Sequence, residues 1–124
     1  MVTITTVGME YQARFTNGST AGAWKWFALG TGSAVESAAS TTLDAEITTG
    51  GGERALADLS YEASYKSVWH YIWTFSAPFG IWECGIFDQL SVGGHMLMRH
   101  KFPAIKNVAA LETLEVTMKL IQAV

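Results

Sequence analysis

The chain has 124 residues, of which 49% are apolar and only 15% charged, and eight basic against eleven acidic side chains leave a formal net charge of −3. That balance excludes intrinsic disorder, which needs few apolar groups and many charges, and it is a poor footprint for general nucleic-acid binding. No apolar run approaches the roughly 20 residues of a membrane span, and the length predicts one β domain over residues 1–124 with a single modest core.

Met1 to Phe15 contains no basic start followed by an apolar stretch, so no secretory signal is expected. The one cysteine, Cys84, excludes an internal disulfide framework and any zinc site built from several cysteines. So few charges on so apolar a chain predict that part of the exterior is covered by another protein.

In chain order, Met9, Tyr11, Ala13 and Phe15 alternate with Glu10, Gln12, Arg14 and Thr16, which predicts a strand over 9–16 with the first set inward. Asn17-Gly18-Ser19 supplies turn chemistry. Trp24 to Leu29 reads as a second strand, closed by Gly30-Thr31-Gly32. From Ser33 to Gly52 the chain is small and polar. We read a long Gly/Ser/Thr/Ala loop with a helical turn around Ala34 to Ala39, capped by Ser33 with Glu36 three residues on. Loops of that length are usually functional or ordered by a partner.

Leu56 to Thr74 is aromatic and β-branched. Trp69, Tyr71, Trp73 and Phe75 share one face, Val68 and Ile72 the other, so the strand reads as buried on both sides, ending at Pro78 and Gly80. Ile81 to Asp88 and His95 to Phe102 form a hairpin through Gln89 to Gly94, with Pro103 stopping the second strand or placing it at an edge. Leu114, Val116, Met118 and Leu120 alternate as a strand, whereas Leu111, Leu114, Met118 and Ile121 fit a helix; threonine and valine favour the strand. Six or more short strands with glycine turns predict an all-β sandwich or jelly roll.

Among the reactive side chains, His70, His95 and His100 have no metal-ligand spacing with one another or with Cys84, so no metal is expected. There is no Gly-x-Ser-x-Gly elbow. Cys84, inside an aromatic strand, reads as a small buried apolar residue rather than a nucleophile. Gly30-Thr31-Gly32 lacks the lysine and the βαβ setting of a phosphate loop, so it reads as a turn. Glu83 is the informative acid. Its strand neighbours are apolar, so its carboxylate needs backbone N–H groups or an arginine, Arg54 or Arg99. A general acid there would lack a second carboxylate. Of the five tryptophans, Trp69, Trp73 and Trp82 read as core, while Trp24 and Trp26, beside the long loop and the Gly30-Thr31-Gly32 turn, are the candidates for partner contact.

Taken in order, Phe27-Ala28-Leu29-Gly30-Thr31-Gly32, Leu43, Glu46-Ile47, Arg54-Ala55, Trp82-Glu83-Cys84-Gly85-Ile86-Phe87-Asp88 and Gly93-Gly94-His95-Met96-Leu97-Met98-Arg99, with Phe102-Pro103 and Leu114-Glu115-Val116-Thr117, form a pattern. It resembles a group of small structural proteins of tailed bacteriophages, marked by GTG, L..E, R, E.G(I/L)F and GG.ML.R..F. The likeness spans residues 27 to 120, roughly the reach of these motifs. Cys84 stands where a small residue is usual, and the tract after Gly32 lacks the family's prolines. The resemblance implies a virion component without catalytic residues or cofactor. The first expectation is a capsid decoration (cement) protein on the capsid surface, binding the major capsid protein and neighbouring copies of itself as a homo-oligomer. A tail-tip, baseplate or fibre-associated adaptor is the second expectation, and a host-glycan-binding module using Trp24 and Trp26 is the third.

Overall fold

The computed structural model describes residues 2–63 and 65–121. Their elements run β1 (Thr3–Ile4), α1 (Thr6–Asn17), β2 (Trp26–Gly30), β3 (Ala55–Leu56), β4 (Asp58–Glu62), β5 (Lys66–Thr74), β6 (Phe79–Phe87), β7 (Met96–Val108) and β8 (Thr113–Ile121). The strands form two antiparallel sheets, one of five strands in the order β1-β7-β6-β2-β3 and one of three in the order β4-β5-β8. The fold is therefore mostly β and sandwich-like, with one helix that the all-β expectation did not contain.

The core lies between the sheets. Phe27, Leu29, Cys84, Ile86 and Met98 from one meet Trp69, Trp73, Val116 and Met118 from the other. Phe27 and Trp73 stand edge-on, centroids 5.1 Å apart at 80°, the arrangement their ring quadrupoles favour. The carboxy-terminal strand pairs with β5 residue by residue from Lys66↔Ile121 to Thr74↔Thr113. Its buried members, Val116 and Met118, are those that strand alternation selects. The expected hairpin also forms: β6 and β7 pair antiparallel, with Gly93 and Gly94 at positive φ in the connection.

The expected strand over 9–16 is instead helix α1, and Met9, expected inward, is 55% exposed. Thr5 caps the helix by accepting the Gly8 N–H at 2.8 Å, and Gly18, at φ 78°, closes it in the left-handed conformation. The face turned inward carries Gly8, Tyr11 and Phe15, at helical spacing. Gly8 permits the close approach: a Cβ there would lie 2.5 Å from the Leu97 carbonyl oxygen on β7.

Smaller expectations are also revised. Leu56 to Thr74 is not one strand; it breaks into β3, β4 and β5, with Tyr65 at φ 61° where the chain reverses. The outer face of β5 is only partly covered, Ile72 being 49% exposed. Pro103 does not stop β7 but lies at an edge, since among the described residues β1 pairs only with Met98 and Arg99. From Lys101 to Lys106 the strand takes five residue steps against the two from Ile81 to Glu83 on β6, a bulge that removes the need for a ladder N–H at the proline. The same irregularity breaks the alternation of β6, so Ile81 joins Cys84 and Ile86 in the inter-sheet core although strand spacing from Glu83 would place it on the outer face. No helical turn forms around Ala34 to Ala39 either, because Glu36 is drawn to the strands instead of back to Ser33.

Candidate functional site

The five-stranded sheet has a second, outer face. There β2 contributes Ala28 and Gly30, β6 contributes Glu83, Gly85 and Phe87, and β7 contributes Arg99, in register at Ala28↔Gly85, Gly30↔Glu83 and Gly85↔Arg99. The small residues leave room for what covers them. Leu43, from the loop that follows β2, packs with Ala28, Phe87 and Met96 in a separate apolar cluster. A Cβ on Gly30 would stand 2.3 Å from Glu83 Oε2.

Glu83 is completely buried beneath this loop. Its Oε1 accepts from Arg99 Nε at 2.9 Å and from the Asp44 N–H at 2.8 Å; its Oε2 accepts from the N–H groups of Gly32, at 3.0 Å, and Ala45, at 2.8 Å. Four donors, one of them charged, compensate the desolvation that an isolated carboxylate would suffer here. Both expected kinds of partner are thus present, and of the two candidate arginines it is Arg99 that reaches the acid. Gly32 leaves the loop on one side and Asp44 and Ala45 return on the other, so one side chain cinches both ends. The Thr31 N–H donates to the Ala45 carbonyl at 2.9 Å, and Arg99 Nη2 to the Ala34 carbonyl at 2.9 Å. Among the described residues, Arg99 Nη1 is buried without a partner. A segment expected to need a partner for its order is therefore held by the chain's own groups.

Arg54 sits elsewhere. Its Nε and Nη2 form a two-pronged pair with Glu46, at 2.9 and 2.6 Å, and its Nη1 donates to the carbonyls of Gln89, Ser91 and Gly93 at 2.9–3.1 Å. The guanidinium stacks on the Phe87 ring, 3.7 Å from its centroid. Arg54 thus joins the far end of the loop to the β6–β7 connection.

A third acid, Glu36, ties the loop's middle to the sheet edge. It accepts from the Thr3 hydroxyl and the Lys101 N–H, each at 2.6 Å, and lies 3.1 Å from His100 Nδ1. Burial works against its charge, but the Thr3 and Lys101 hydrogen bonds and the charge of His100 prevail and hold its carboxyl below the ordinary value. Neither Glu36 nor Glu46 was assigned this role from sequence. The one available signal was that each is an acid inside an otherwise small and polar tract.

Of the residues expected to meet a partner, Gly30 and Gly32 are buried around Glu83 and Thr31 is exposed. Trp24 is 9% exposed; its Nε1 donates to Gln12 Oε1 at 2.6 Å and its carbonyl accepts from Trp69 Nε1 at 2.8 Å. Trp26 is partly buried against Ala28, Leu43, Phe87 and Met96. Both tryptophans thus have internal contacts.

Cys84 is fully buried and donates to Met118 Sδ at 3.6 Å. Burial, reinforced by the charges of Glu36 and Glu83, pushes its thiol far above the ordinary range. Among the described residues, no group of three or more His, Cys, Asp or Glu side chains is placed to share a metal ion. The arrangement as a whole is an anchorage for a loop. No protein-family model matches the chain, and no curated protein matches it.

Proposed function

We propose that the protein is a structural component of a tailed-phage virion. The leading reading is a capsid decoration protein: a small β-sandwich of the jelly-roll kind that binds the shell of major capsid protein beside copies of itself, without catalysis. The observation that carries the reading is where the residues of the phage-like pattern fall. Gly30, Gly32, Glu46, Arg54, Glu83 and Arg99, scattered along the chain, converge on one anchored loop. A pattern spent on holding a loop suits a protein whose task is to present a surface, because loops on a rigid scaffold carry recognition. A preordered loop also loses less conformational entropy on docking.

The test is to add the purified protein to shells assembled without it. Saturable binding, with a rise in the temperature at which the shells come apart, is the expected result. Labelling on intact particles that marks only the tail tip or baseplate would replace this reading with the adaptor reading.

A further inference from the structure

The bulge in β7 leaves a surface that the loop anchorage does not use. Phe102, Pro103, Ala104 and Ile105 lie between the paired residues Lys101 and Lys106, with Ile105 39% exposed. Across from them stands Val35, 81% exposed on the anchored loop, and the two segments frame a depression of about 300 Å³ lined by Val35, Glu36, Lys101, Phe102 and Pro103. The surface is both apolar and basic. Lys101 Nζ lies 5.6 Å from the centroid of the Trp82 ring and Lys106 Nζ 5.9 Å from that of Phe102. Among the described residues neither ammonium has a carboxylate within ion-pair distance, whereas Lys66 and Lys119 are both paired. Glu36, the one acid in the lining, is already engaged by Thr3, the Lys101 N–H and His100.

We propose that this surface docks an acidic segment of the shell protein, one that carries a large apolar side chain for the depression; the partner's identity rests on the function proposed above. Charge decides the occupant. On a chain of net charge −3, two unpaired ammonium groups beside an exposed apolar patch select a negatively charged partner. Two lysines are few for a nucleic-acid backbone, where affinity grows with the number of phosphates neutralised. Backbone recognition by strand addition does not suit this edge either, since Pro103 has no N–H and that of Lys101 is held by Glu36. Recognition therefore runs through side chains, and the bulge is what brings them out of the sheet.

The experiment measures binding of the full chain to shells assembled without it, at low and raised salt. The double variant Lys101→Glu/Lys106→Glu should bind about tenfold or more weakly, and its remaining affinity should depend less on salt. Its melting temperature should stay close to that of the wild type, because Lys106 is exposed and Lys101 only partly buried. Lys101→Arg/Lys106→Arg should retain affinity, and Lys25→Glu, the same charge change away from the bulge, should leave it unaltered. Wild-type binding that survives the double reversal would overturn this surface while leaving the proposed function in place. No wild-type binding to shells would remove that function, and the assigned partner with it. A short thymidine oligonucleotide that binds the wild type and is lost on reversal would overturn the acidic-protein assignment.

Discussion

At Glu83 the acid is the hub: one carboxylate gathers three backbone N–H groups and a single arginine nitrogen, and no solvent reaches it. At Arg54 the base is the hub: one guanidinium holds both oxygens of Glu46 and three backbone carbonyls, while Glu46 keeps 10% of its side chain exposed. Both pairs fasten the same stretch of chain, one where it leaves β2 and the other where it enters β3. The difference teaches where the vulnerability of a buried ion pair lies. It lies with the member that gathers the backbone, because removing that member strands several polar groups at once.

The largest expected effect is therefore at the fully buried hub. Glu83→Gln keeps the shape but leaves Arg99 without its counter-charge, and it turns an amide toward N–H donors. It should cost about 3–5 kcal/mol, the range for breaking a buried pair from one side. Glu46→Gln, removing the satellite of the other pair, should cost about 1–3 kcal/mol. Urea unfolding of the two variants decides, and equal losses would break the distinction between hub and satellite.

Those two assignments were legible to different degrees. A carboxylate flanked by Trp82, Cys84 and Ile86 had to find strong donors, so the environment of Glu83 followed from burial alone. Which arginine it finds depends on the register of β6 against β7, which the alternation of a single strand does not contain. The C-terminal strand was legible because Leu114, Val116, Met118 and Leu120 alternate with Thr113, Glu115, Thr117 and Lys119, and threonine and valine favour a strand. Helix α1 was not, because Met9, Tyr11, Ala13 and Phe15 fit a strand period while the decisive inward residue is Gly8, which has no side chain to count. The bulge was hidden for a similar reason. Apart from Pro103, nothing marks the residues that β7 inserts opposite Trp82.

A second, intermediate effect sharpens the comparison from the cationic side. Lysine cannot reproduce a two-pronged pair, three carbonyl contacts and a stack on Phe87, so Arg54→Lys should lose about 2–3 kcal/mol. Arg99→Lys keeps the charge beside a carboxylate that still has its backbone donors, and should lose about 1 kcal/mol. Thermal melts of the pair test the order; a larger loss at Arg99 would reverse the assignment of hubs.

The smallest effect belongs to an ion pair that gathers no backbone. His70, partly exposed on the outer face of the three-stranded sheet, lies 2.7 Å from Glu115 and 3.4 Å from Asp58. The Glu115 hydrogen bond chiefly raises its pKa, against desolvation and with help from Asp58. A raised folded value places the stabilisation below the unfolded pKa of about 6.5 and removes it as pH rises through the folded value. Melting temperatures from about pH 5 to about pH 8 should show a slight fall toward the alkaline end that Glu115→Gln diminishes. An identical profile in the variant would exclude this pair as its source.

The burial of Cys84 has a consequence for how closely copies of the chain can be crowded. A protein with one cysteine can form a disulfide only with another molecule, and an array of many copies raises the local concentration of every exposed thiol. Exchange and oxidation proceed through the thiolate and need access to the sulfur. Here the sulfur rests against Met118 between the sheets, and its proton is held more tightly than in a free thiol. Neighbouring copies can therefore touch for long periods in an oxidising medium and stay covalently separate.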